Sequence, residues 1–155
     1  MKSIFEVEIR LSFEYLKAMK RLWFMKIPDA PPIKKNFYSI RKPFDFIAIT
    51  DNYKYAIECK MIRVPRLNLI PEHQENGLME FSKLRRASSY IFVNYRTKKV
   101  NEAYAIPIQA YLGMKRRNSS RKSIPIGDIR ANFMVDELER IKDNGKYFWY
   151  IPIIA

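Results

Sequence analysis

The chain has one cysteine and one histidine among 155 residues. A single cysteine excludes an intramolecular disulfide. With only Cys59 and His73 available, no zinc site built on several Cys and His ligands can form. Any metal is therefore expected to be a hard ion held by carboxylates. Long apolar runs are also missing: stretches such as Phe148 to Ala155 are too short to span a bilayer. The opening residues, Met1 to Glu6, reach an acid at once and lack a signal-length apolar core, so an intracellular, cytoplasmic protein is expected. Acids are scarce, 16 against 29 lysines and arginines, for a net charge of +13. That excess calls for a polyanionic partner, nucleic acid before an acidic membrane surface. A membrane role is not expected, because the basic residues do not line the polar side of one amphipathic helix.

Hydrophobic residues at 48% and aromatics at 14% exclude a disordered chain. The length fits a single domain over residues 1–155 with a real core. From Phe5 to Phe13 apolar residues alternate, yet Phe5, Ile9, Phe13, Leu16, Met19 and Trp23 also form one helical stripe. The helix formers of Glu14 to Leu22 favour one long helix, stopped by Pro28, Pro31 and Pro32 ahead of a basic loop. Phe44–Thr50 and Tyr53–Lys60 read as an antiparallel hairpin turned at Asp51-Asn52. Arg63 to Ile70 reads as a loop, and Pro71 opens a helix to about Ser88. Tyr90–Tyr95 reads as a central strand and Ala103–Ile106 as the next, with Pro107 starting a short helix through Leu112. A flexible basic loop is expected at about 114–124, then a helix near Phe133 to Lys142 and a last strand, Tyr147 to Ile153. This order implies an α/β layered domain.

The chemistry gathers at the hairpin. Asp45 begins one strand, and Glu58-Cys59-Lys60 ends the other. Antiparallel pairing brings these ends within roughly 5 Å of one another. Alternation puts Glu58 and Lys60 on one face and Cys59 on the other. Two carboxylates are how proteins hold Mg²⁺, and a lysine beside them can orient or deprotonate a water attacking phosphorus. The plain alternative makes Asp45 a strand-edge cap and Glu58–Lys60 a surface ion pair. Against it, the apolar Tyr55-Ala56-Ile57 marks a buried strand, where charged residues are hard to explain as decoration.

Pro43-Phe44-Asp45-Phe46-Ile47 followed by Glu58-Cys59-Lys60 resembles the PD-(D/E)XK nuclease signature, with one residue inserted between proline and aspartate. Phe5-Glu6, Pro71 to Leu78, Tyr90 to Val93 and Tyr104 to Ile108, in this order, resemble the recombination protein U family of Holliday junction resolvases and its phage relatives. The resemblance implies a restriction-endonuclease-like core, a mixed central β-sheet flanked by helices. It also implies a homodimer that cuts four-way DNA junctions with Mg²⁺, for which Mn²⁺ would substitute; a phage, viral or prokaryotic host is compatible with it, though the sequence does not report the source. By position, Asp45 and Glu58 would be metal ligands, the carbonyl of Cys59 a third, and Lys60 the water-activating residue. Glu6 matches the acid that the N-terminal helix lends to the metal, and Gln74 the helix glutamine beside the site. The long basic insert at Lys115 to Lys122 is not part of that pattern.

Some residues admit two readings. Glu6 is spaced to pair with Arg10 on a helix surface, and Glu14 is a second candidate for the helix acid. His73 reads as ordinary first-turn surface, a DNA contact or, less readily, a general base. Cys59 is expected to be a small buried residue with an idle side chain. Arg63 and Arg66 follow the catalytic strand where a DNA backbone would pass, and Lys115, Arg116, Arg117, Arg121 and Lys122 would neutralise phosphate. Two rival functions stay open: a duplex-specific restriction or repair nuclease on the same core, and a non-catalytic DNA-binding module.

Overall fold

The computed structural model describes residues 3–29 and 41–154. Pro31 and Pro32, expected in the basic loop, lie outside the described residues. Helix α1 (Ile4–Ala18) starts at the Ser3 cap, whose Oγ accepts the Glu6 N–H at 3.1 Å. It ends earlier than its apolar stripe suggests. Lys20 turns the backbone to φ 58°, and Trp23–Lys26 becomes strand β1 rather than a continuation of the helix. Four residues per strand suffice there, because β1 pairs antiparallel along the whole of β2 (Phe46–Ile49).

Strand β2 pairs antiparallel with β3 (Lys54–Ile62), giving the expected hairpin. A short strand β4 (Arg66–Asn68) lies within the segment read as loop. Helix α2 (Glu72–Ser82) stops well short of Ser88. Arg86, at φ 55°, reverses the chain into β5 (Ala87–Arg96), which must start opposite Lys54 to run the length of β3. The β3–α2–β5 crossover makes those two strands parallel, and β6 (Asn101–Pro107) returns antiparallel.

Helix α3 (Ile108–Arg117) continues past Leu112 and takes up Lys115, Arg116 and Arg117, so the expected basic loop is in part helix. Strand β7 (Ser123–Pro125) pairs with β4, and a short α4 (Ile126–Ala131) follows. The helix expected at Phe133 to Lys142 is instead β8 (Asp136–Asp143), paired with β6 on one side and β9 (Lys146–Tyr150) on the other. Asn144 and Gly145, both at positive φ, form the two-residue turn that joins them.

The main sheet has the order β1-β2-β3-β5-β6-β8-β9, a mixed sheet flanked by helices as the sequence implied. Each face carries its own core. Phe5, Ile9, Phe13 and Leu16 of α1 pack on Phe46, Ile57, Cys59 and Phe92. On the opposite face Leu78 of α2 and Tyr111 and Met114 of α3 cover Ala56, Ile91, Val93 and Ile106. The even and odd positions of β3 thus serve different layers. Among the described residues no helix is long and apolar enough to cross a membrane.

Candidate active site

Strand β2 begins at Phe46, so β3 outruns it. The Asp45 N–H still donates to the Ile57 carbonyl at 3.0 Å, the last rung of the ladder. Beyond that rung the Asp45 side chain takes over: its Oδ2 accepts the N–H of Cys59 at 2.8 Å. N–H and C=O of one strand residue point the same way, so the Cys59 carbonyl also faces this open side of β3.

Glu58 stands opposite Asp45 in register and is 2% exposed; Asp45 is 6% exposed. Glu58 shares a face with Ala56, and Asp45 with Ile47, and both of these apolar residues pack in the α2 layer. Burial, and then the nearby charge of Asp45, push the Glu58 carboxyl up to about 8, although Lys60 pulls the other way. The Lys60 ammonium lies 3.3 Å from Glu58 Oε2 and remains about one-third exposed. Two buried carboxyls and a partly exposed ammonium therefore meet at the frayed end of the hairpin. Cys59 points to the α1 side. Burial and the charges of Asp45 and Glu58 hold its thiol well above the usual range, which keeps it protonated and inert.

Helix α2 closes the site from one side. Gln74 is four residues before the buried Leu78 and so lies on the inward face of the helix. Its Oε1 is buried without a hydrogen-bond partner. At Gly77 the helix comes so close to Pro43 that a Cβ would overlap the proline side chain and lie 3.2 Å from its Cα. This close approach fixes the segment that delivers Asp45. Phe44 adds an edge-to-face contact with Phe81, ring centroids 5.7 Å apart.

Two lysines that are not among the expected site residues sit on the acids. Lys42 Nζ lies 2.8 Å from Asp45 Oδ1 and 2.7 Å from Asp29. Its burial disfavours the charge, but the bonds to Asp29 and Asp45 outweigh this and raise its pKa. Lys42 is adjacent to the Pro43 motif, the only sequence signal it gives. Lys26 Nζ lies 3.0 Å from Glu6 Oε1.

Glu6 is buried but does not join the acid pair. It is held by Lys26 beneath α1, and its charge reaches Cys59 from that side. Among the described residues no group of three His, Cys, Asp or Glu side chains is arranged to hold a metal ion. Glu6 is held by Lys26 rather than grouped with Asp45 and Glu58 as a three-acid metal site in this structure. Arg10 pairs with Glu14 at 2.7 Å rather than with Glu6, which leaves Glu14 on the surface.

The donor set fits Mg²⁺ without Glu6. Such ions are bound through one or two carboxylates and keep waters for substrate phosphates. Glu58 Oε1 is buried with no hydrogen-bond partner, an orphaned acceptor of the kind a cation would satisfy.

The expected DNA contacts are scattered. Arg63 is exposed beyond β3. Arg66 is partly committed, its Nε donating to Ser123 Oγ at 2.8 Å to clamp β4 on β7. His73 is half-buried in the first turn of α2. Lys115 pairs with Glu75 at 2.8 Å, while Arg116, Arg117, Arg121 and Lys122 are exposed.

No family model matches this chain, and no curated protein matches it by sequence. Among solved structures, Hjc from Archaeoglobus fulgidus, a Holliday junction resolvase from an archaeal hyperthermophile, is similar over 64% of this chain and 75% of its own. The identity is 19% and the TM-score 0.43. A likeness of that degree transfers no activity.

Proposed function

We propose that the protein is a divalent-metal-dependent endodeoxyribonuclease whose substrate is the four-way DNA junction. The observation that carries the chemistry is the buried pair Asp45 and Glu58 with Lys60 beside it, on a chain of net charge +13. Surface decoration does not account for a carboxyl at 2% exposure with an unpartnered oxygen. Asp45, Glu58 and the Cys59 carbonyl are the groups that would hold Mg²⁺ or Mn²⁺. When bound, the ion supplies a lowered pKa for water and neutralises charge on the phosphoryl oxygens.

The chain's own residues do the rest. Lys60, about one-third exposed, aims the attacking water at phosphorus and offsets the negative charge that develops there. The Gln74 amide hydrogen-bonds the phosphate or the water from the α2 side. Lys42, 2.8 Å from Asp45, neutralises that carboxylate and would have to release it for Asp45 to hold a metal ion. A twofold dimer places two such sites on the symmetric strands of a junction, with shape and backbone charge rather than base edges selecting the substrate.

The test is cleavage of a labelled four-way junction and of a linear duplex of the same sequence, each with Mg²⁺ or with EDTA. Paired nicks in the junction alone, with Mg²⁺ alone, support the proposal. Equal cutting of both substrates keeps the nuclease and removes the junction preference. Binding without cutting assigns the protein to the non-catalytic class.

A further inference from the structure

Past the active site, β3 and β5 end at the same edge of the sheet, because they are parallel and in register from Lys54↔Ala87 to Ile62↔Tyr95. Two depressions open there. One is lined by Ile4, Met61, Arg63, Arg96, Thr97 and Lys98. The other lies around the β5–β6 turn and shares Arg96, Thr97 and Lys98, adding Lys99, Asn101 and Arg140. No acid lines either one.

The cations are not equivalent. Arg96 is anchored from behind by buried Glu8 at 2.6 Å, and Arg140 lies 3.5 Å from the same carboxylate. Arg63, Lys98 and Lys99 are exposed and have no acidic partner within ion-pair distance among the described residues. The turn that presents the lysines is ordered. Thr97 N–H donates to Val100 carbonyl at 2.7 Å, and Thr97 Oγ1 accepts the N–H groups of Lys99 and Val100 at 3.1 Å each. Cations on a braced turn, in a cleft without acids, form a site for an anion and not merely a wet surface.

We infer that this cleft, with Arg63, Lys98 and Lys99 at its mouth, is a phosphate-binding subsite that grips the DNA backbone beyond the cut. Its placement as part of a substrate track rests on the nuclease reading. Arg63 follows Lys60 by three residues, ~10 Å along an extended strand. A track from the acid pair to this cleft would round the C-terminal end of β3, because Met61 packs with the α1 layer, and would end at the β5–β6 turn.

The test reads DNA binding by the full chain in EDTA, so that it does not depend on cleavage. The affinity for a labelled duplex is measured across a salt series for the wild type, for Lys98→Ala with Lys99→Ala, and for Lys83→Ala with Arg85→Ala. The last pair removes the same charge at the opposite end of β5. The expected result is a log–log salt slope shallower by about 2 for the turn variant, at ~0.9 per phosphate contact, with the slope of the α2–β5 variant unchanged. An unchanged slope in the turn variant, equal losses in both variants, or no salt-dependent binding by the wild type overturns the subsite. A wild type that binds but never cuts with Mg²⁺ overturns the nuclease reading, while the slope difference still supports the subsite.

Discussion

Asp45 and Cys59 are joined by a hydrogen bond in which a side chain replaces a strand: Asp45 Oδ2 accepts the Cys59 N–H at 2.8 Å where β2 has run out. The same bond that terminates the hairpin holds a carboxylate against Glu58. Asp45→Ala leaves a buried N–H unpaired and is expected to cost about 1–3 kcal/mol. Asp45→Asn keeps an acceptor in place and should cost clearly less. Urea unfolding in EDTA of the two variants checks the order.

Glu58 should make the metal-free protein less stable as pH rises. Its carboxyl moves from an ordinary 4.5 to about 8 on folding, chiefly through burial. Between those values the folded state binds more protons than the unfolded state, so stability falls with increasing pH. Below the window both states are protonated and nothing is lost. Thermal melts in EDTA should show Tm declining from about pH 5 to about pH 8, and Glu58→Gln should flatten that decline. Mg²⁺ should restore Tm most at the alkaline end, where the carboxylate is charged in the fold.

Gly77 is predicted to be intolerant for a reason unrelated to helix propensity, since alanine normally improves a helix. The added methyl meets Pro43, two residues before Asp45. Gly77→Ala should destabilise by about 1–3 kcal/mol through overpacking. It should also weaken Mg²⁺ binding by shifting the Asp45 segment, as read by calorimetry. Improved stability with unaltered binding would refute the contact.

Glu8 is a structural acid. Its Oε1 receives Arg96 at 2.6 Å and the Trp149 indole N–H at 3.0 Å, tying α1 to β5 and β9. Glu8→Ala leaves the half-buried Arg96 guanidinium and the Trp149 indole N–H without their acceptor and is expected to cost about 1–3 kcal/mol. The loss should appear in the denaturation midpoint.

The sequence was most informative where local and tertiary demands agree. Tyr55 to Lys60 alternates as β3 alternates, so the opposite facing of Cys59 and Glu58 could be read directly. Asp136 to Asp143 shows the reverse: Asp-Glu-Leu-Glu-Arg-Ile-Lys-Asp is full of helix formers, yet the free edge of β6 takes it as a strand. The Asn144-Gly145 turn was the available signal for that. The lysines on the acids were hidden for a different reason. Lys26 reaches Glu6 only because β1 pairs with β2, a relation between segments that no local pattern encodes. The partner of Glu6 was hidden likewise, since its own helix was legible but the strand it faces was not.

The central claim is that Asp45 and Glu58 hold the ion with which this protein cuts DNA. The most direct measurement compares wild type and Asp45→Asn, at equal concentration, in cleaving a labelled four-way junction with Mg²⁺, with junction binding measured in parallel in EDTA. The account predicts cleavage by the wild type, none by the variant, and equal binding by both. Cleavage by Asp45→Asn at the wild-type rate would contradict it.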